Sequence, residues 1–122
     1  MFEHLKMAGT LAGLMKNKDA LREAGERIKS RLAEARASGS AGGGAVHATA
    51  SGEMKIVSIR IEPALASGMT DPANHALAEQ LIAEAVNNAL ERAKDMAQSI
   101  AIKEADALGL PGLGGLAGLI GN

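Results

Sequence analysis

Hydrophobic positions recur along this chain with two different periods, and the changes of period divide it into three parts. In the first part, Leu11, Leu14, Lys18, Leu21, Gly25, Ile28, Leu32 and Ala35 step 3-4-3-4-3-4-3. That is a heptad seam with two defects, Lys18 and Gly25, and it predicts a helix from near Glu3 to about Arg36. From Gly42 to Pro63 the period falls to two. Val46, Ala48 and Ala50 alternate with His47, Thr49 and Ser51; after a Ser51-Gly52-Glu53 turn, Val57, Ile59 and Ile61 alternate with Ser58, Arg60 and Glu62. Alternation on both sides of a glycine-containing turn predicts a hairpin with one buried face. Pro63 ends its second strand, because proline lacks the N–H that a ladder needs. In the third part Ile82, Val86, Ala89, Ala93, Met96, Ile100, Lys103 and Ala107 step 4-3-4-3-4-3-4, a second heptad seam. Asp71-Pro72 supplies its start signal, an N-cap followed by a proline in the first turn.

A seam as long as the first needs a partner helix, and the second provides one. Leu77, Leu81 and Ala85 widen the second stripe at its beginning, where that helix should cross the sheet. The expected architecture is therefore α+β: a long helix, a small antiparallel sheet and a second long helix, with the helices forming an antiparallel arm. By pattern alone Ala37–Gly44 reads as a flexible linker. It is not a phosphate-binding loop, since no Gly-Lys-Ser/Thr follows and a strand comes next. The domain is expected over residues 1–107, and the Gly/Leu-rich stretch 108–122 reads as a tail too rich in glycine for a stable helix.

Composition adds the need for a partner copy. The chain has 122 residues, no Trp or Tyr, and Phe2 as its single aromatic. Its core must come from Leu, Ile, Val, Met and many alanines, which bury little area at about 25 cal/mol per Å². Two long helices and a small sheet cannot enclose one another fully, so a two-fold homodimer is expected, with Val46, Val57, Ile59, Ile61, Ile82 and Val86 as core or dimer residues. The absence of cysteine fits a reducing cytosol and excludes disulfides and thiolate zinc sites. No stretch approaches the length of a membrane span, and cytoplasm is the expected location.

Net charge is −1, but its distribution is uneven. Residues 1–37 hold 8 basic and 5 acidic side chains, a net of +3, while residues 71–122 hold 3 basic and 7 acidic, a net of −4. Along the first helix Lys18, Arg22, Lys29 and Arg36 are spaced 4, 7 and 7 residues apart, with Lys16 just before them. Such a row can follow phosphates. It equally fits the flank of a coiled coil, where long stems cover apolar neighbours.

The ordered set of short motifs resembles the YbaB/EbfC family of small bacterial nucleoid-associated DNA-binding proteins. Met1-Phe2 leads into a long polar helix. Gly42-Gly43-Gly44-Ala45-Val46, Gly52 and Val57-Ser58-Ile59-Arg60-Ile61-Glu62-Pro63 follow in order, then Ala85-Val86-Asn87-Asn88-Ala89 and Leu110-Pro111-Gly112-Leu113. The resemblance implies a third strand around Arg36 to Ser40, giving an α-β-β-β-α chain, and a tweezer-shaped dimer with paired helical arms. It implies double-stranded DNA as partner and the nucleoid as location. It assigns no contact residues; the basic row is read from charge alone.

Catalytic chemistry is not indicated. His4, His47 and His75 stand on three different elements with no metal-ligand spacing, and there is no Gly-x-Ser-x-Gly elbow. No catalytic residue, metal or cofactor is assigned. Two readings remain. In one, a dimer binds duplex DNA through phosphate contacts from Lys16, Lys18, Arg22, Lys29 and Arg36, with little sequence specificity because the first helix has few Asn or Gln to read bases. With only Phe2 aromatic, base stacking is excluded as the main mode. In the other, a coiled-coil interaction protein grips a protein partner with its helical arms, to which the acidic second helix is equally suited.

Overall fold

A computed structural model describes residues 18–108. In order these form α1 (Lys18–Glu34), β1 (Arg36–Ala41), β2 (Val46–Ser51), β3 (Ile56–Ile61), the short α2 (Pro63–Gly68), a 3-10 turn (Pro72–Asn74) and α3 (His75–Ala107). The predicted helix start near Glu3, Lys16 and the stretch 109–122 lie outside the described residues.

The strands make one antiparallel sheet in the order β1-β2-β3. The segment that reads as a linker by composition is mostly strand. Ala37, Gly39 and Ala41 are buried while Arg36, Ser38 and Ser40 are exposed, so β1 does alternate, but with side chains too small to show it. The β1–β2 connection holds Gly42, Gly43 and Gly44 at φ of 65°, 65° and 96°, which favours glycine at each. A Cβ on Gly43 would meet nothing within 4 Å, so backbone conformation, not close packing, requires glycine there.

Helix α3 lies across the inner face of β1 and β2. Ala85, Ala89 and Ala93 meet Ala37, Ala41, Val46, Ala48 and Ala50 in one buried cluster, and Val46 is the only large side chain fully buried among the described residues. The contact is nearly backbone to backbone. A Cβ built on Gly39 would stand 2.2 Å from the Ala89 nitrogen and 2.7 Å from the Ala85 carbonyl oxygen. Asp71 caps the start of the 3-10 turn that leads into α3, its carboxylate accepting from the Ala73 N–H at 3.0 Å. The helical hydrogen-bond pattern of α3 itself begins at His75, after that turn.

Two of the residues expected in the core or at a dimer contact are exposed in the protomer. Ile59 is 44% exposed, because α3 sits over β1 and β2 and leaves the inner side of β3 open. Val57 is 47% exposed. A bulge between Thr49 and Ala50 sets Ile56, not Val57, opposite Ala50, and it is Ile56 that packs on the core. Ile61, at the other end of the strand, is half-buried, as are Ile82 and Val86. The second seam is also corrected at its end: Lys103 and Ala107 are exposed, while Glu104 and Ala105 are buried. Beyond the sheet, α3 changes partner and packs on α1, so its buried side changes too.

On α1 the packed residues include Ala24, which is buried, and Ile28 and Leu32, which are half-buried; Ala35, just past the helix, is half-buried too. Leu32 also seats the β2–β3 turn: a Cβ on Gly52 would lie 2.8 Å from its carbonyl oxygen. The arm carries one buried ionic group. The Glu104 side chain is 4% exposed, with Oε2 3.2 Å from Arg27 Nε and Oε1 3.1 Å from Arg31 Nη1. Arg27 and Arg31 are one turn apart on α1, so a single carboxylate holds two cations along one flank of the helix.

Two stability predictions follow from this packing. Gly39→Val should destabilise the fold by about 3 kcal/mol or more, since the clash is with helix backbone. Gly25→Ala, where an added Cβ meets nothing within 4 Å, should stabilise it by about 0.5–1 kcal/mol. Urea unfolding of both variants checks the opposite signs. In the arm, the double change Arg27→Gln with Arg31→Gln should cost about 3 kcal/mol, because it strands a buried carboxylate. Glu104→Gln should cost only about 1 kcal/mol, since it leaves two half-exposed cations that water can solvate. Equal losses in denaturant titrations would contradict that asymmetry.

Candidate nucleic-acid interface

The basic residues of α1 fall into two groups. At 3.6 residues per turn, Lys18, Arg22 and Lys29 project from one side of α1, and all three are exposed. Arg22 lies 3.5 Å from Asp19, with 74% and 85% of the two side chains exposed, so the pair is screened and leaves the arginine available. Arg27 and Arg31 lie on the other flank, beside α3, and are tied to Glu104. Asp19, Glu23, Glu26 and Glu34 fall between the two groups, on the side of α1 turned from the core.

Arg36 does not belong to the row. It is the first residue of β1, and its Nη1 donates to the carbonyls of Ala33 at 2.7 Å and Ala35 at 2.9 Å. It thus satisfies carbonyls left open where α1 ends, and favours the negative end of the helix dipole. The spacing of 7 from Lys29 extrapolates a helix that has already stopped at Glu34. Of the five basic positions in the sequence reading, the structure brings Lys18, Arg22 and Lys29 to one face, sets Arg36 apart, and does not describe Lys16.

Sequence reasoning missed Arg27 and Arg31. Their i, i+4 spacing is visible, but the acid that binds them is 77 residues away from Arg27. It also missed how α3 seals one edge of the sheet. The Arg92 Nη1 donates to the Ser38 carbonyl at 2.8 Å, and Asn88 Nδ2 donates to the Ser40 carbonyl at 3.0 Å. These side chains occupy carbonyls of β1, so among the described residues β3 is the sheet's open edge.

The two described histidines stand on different elements. His47 is an exposed residue of β2, the ring of His75 approaches the Met69 carbonyl, and His4 is outside the described residues. Among the described residues no group of three His, Cys, Asp or Glu side chains could hold a metal ion. No described helix is long and apolar enough to cross a membrane.

Comparison with known proteins identifies the family. The model of the YbaB/EbfC DNA-binding family matches residues 7–107. A nucleoid-associated protein of Pelotomaculum thermopropionicum is 33% identical over 107 residues, which cover 88% of this chain and 98% of the relative. One of Moorella thermoacetica is 36% identical over 86 residues, covering 70% of this chain and 79% of that one. Among solved structures, an uncharacterized protein from Helicobacter pylori is similar with a TM-score of 0.49 and 18% identity, covering 80% of this chain and 90% of that chain. On the strength of the family match and of these relatives, the chain is a member of the YbaB/EbfC DNA-binding family.

Proposed function

We propose that this protein is a nucleoid-associated protein that binds double-stranded DNA as a homodimer, with little sequence specificity and through phosphate contacts from α1. The observation that carries the reading is family membership across residues 7–107. The family is defined by DNA binding and is not an enzyme family, so no catalytic role is assigned. The cytoplasm, at the nucleoid, is the corresponding location.

The contact residues in this proposal are Lys18, Arg22 and Lys29, which share a solvent-facing side of α1. Each can neutralise a phosphate and release a counterion, a source of affinity that carries no sequence information. The acidic residues of α1 limit the attraction, so binding should be steep in salt and modest in strength.

Homodimerisation is supported by the open side of β3. Ile59 is exposed there, Val57 is exposed at the adjoining bulge, and Leu77 at the start of α3 is 53% exposed. Their strand also has an unpaired edge. A second copy placed over this flank would remove apolar surface from water and cover the edge in one step. In the proposed dimer each protomer's thin alanine core is completed by the other.

The protein-partner reading retains one supporting observation: Glu79, Glu84, Glu91 and Asp95 are exposed on α3 and would attract a basic partner rather than DNA. Duplex binding as a function of salt separates the two readings. For DNA binding, log affinity should fall linearly with log salt, and a stable dimer that binds no duplex at low salt would favour the protein partner.

Two variants test the parts separately. Lys18→Glu, Arg22→Glu and Lys29→Glu combined should abolish duplex binding in a mobility-shift assay and leave the dimer intact; unchanged binding would remove this face from the proposal. Val57→Lys with Ile59→Lys should convert the dimer to a folded monomer in sedimentation analysis. A dimer that survives both charges must associate elsewhere.

A further inference from the structure

The outer face of the sheet has a composition unlike the rest of the surface. The register places Ser40, His47 and Arg60 side by side across the three strands, and Ser38, Thr49 and Ser58 in the next row. All are exposed except Thr49, which is half-buried. The helix that covers the sheet, α3, lies on the opposite face with the buried alanines. These two rows contain no carboxylate. Among the described residues Arg60 forms no ion pair; the nearest acid along the chain, Glu62, follows it by two residues on the same alternation, just past the end of β3, and Glu53 lies before the strand begins. In a chain of net charge −1, these two rows combine a guanidinium with hydroxyl and imidazole groups, and the one acid on the same alternation, the exposed Glu62, stands at their margin beside Ala45.

We propose that this outer sheet face is a second backbone-binding surface for double-stranded DNA, distinct from the basic side of α1. The inference rests on the DNA-binding reading above. Arg60 would make the charge-assisted contact to a phosphate, and the serine and threonine hydroxyls would donate to neighbouring phosphate oxygens. A protein partner is disfavoured, because neither row offers an aromatic or large aliphatic side chain to anchor an interface.

The dimensions select phosphate contact over base reading. Strands about 4.8 Å apart put the two outer strand axes about 10 Å from each other before side chains and backbone width are added. The major groove is about 12 Å wide and admits a two-stranded ribbon. A three-stranded sheet with serines along it is too broad to sink to the groove floor, and its side chains are too short to reach it. The face therefore suits binding that is indifferent to sequence.

The test uses the full chain and a short mixed-sequence duplex, with affinity read by fluorescence anisotropy over a salt series. Arg60→Glu and Ser40→Asp should each weaken binding about tenfold, and Arg60→Glu should also lower the salt slope by about one. Lys94→Glu, on an exposed side of α3, makes the same charge change as Arg60→Glu away from the sheet and should cost no more than about threefold, by long-range repulsion alone. Ser40→Lys should tighten binding by about threefold, a gain that misfolding cannot imitate. If β3 is disturbed by the change at Arg60, the Ser40 variants on β1 still report on the face. The inference is overturned if Ser40→Lys leaves affinity unchanged and the two acidic variants match Lys94→Glu. If the wild-type chain binds no duplex even at low salt, the DNA reading itself fails, which is a different result.

Discussion

The contact between α3 and β1 at Gly39 governs the shape of this protein. There the helix backbone and the strand backbone are so close that a single methyl group would collide with both Ala85 and Ala89. Alanine on the helix and Ala, Gly and Ser on the strand are what permit that approach. The benefit is dispersion between closely packed atoms, and the restriction is that little large hydrophobic surface can fit between the layers. Once α3 is seated low over β1 and β2, it cannot also cover β3. The exposure of Ile59 is therefore a consequence of where the helix rests, as much as of the identity of that residue.

The same placement determines which charges are available. Where α3 runs past the sheet it meets α1, and Glu104 is buried between them with Arg27 and Arg31 as its partners. A buried carboxylate is costly unless its oxygens are paired, and here each oxygen has a guanidinium. Two of the basic residues that make the first segment electropositive are thus engaged in joining the arm. Net charge over a segment overstates what that segment can offer a phosphate. The remaining cations on α1, Lys18, Arg22 and Lys29, are those that the arm does not use.

Much of the fold was legible because alternation and heptad spacing are direct records of burial. The β2–β3 hairpin and the two helices could be read that way, and the Asp71-Pro72 pair separately marked the approach to the last helix. Three things could not. The strand Arg36–Ala41 alternates between alanine or glycine and serine, a contrast in burial that hydropathy barely registers, and only the family resemblance pointed to it. The bulge that displaces Val57 depends on pairing with β2, so an unbroken alternation in β3 gave no sign of it. Arg36 and Glu104 owe their surroundings to where a helix stops and to a contact across most of the chain. Of the candidate site, the exposed row on α1 was visible as spacing, whereas the sheet face was not, because it needs the register of all three strands.

The strand β3 shows how few residues separate the proposed roles. Ile59 and Ile61 point to the side of the sheet on which α3 lies, and Ser58 and Arg60 point to the other. If a second copy covers the first pair and DNA lies against the second, adjacent residues of one strand serve different partners on opposite faces. No contact surface is shared, so the two events need not compete. They are nevertheless linked through register: a slip of one residue along β2 would turn the isoleucines outward and Arg60 inward. The bulge at Val57 restricts that slip, because the extra residue is accommodated only at the Thr49/Ala50 step. An irregularity that looks like a defect in the pairing thereby helps to keep the apolar and the basic sides of the strand apart.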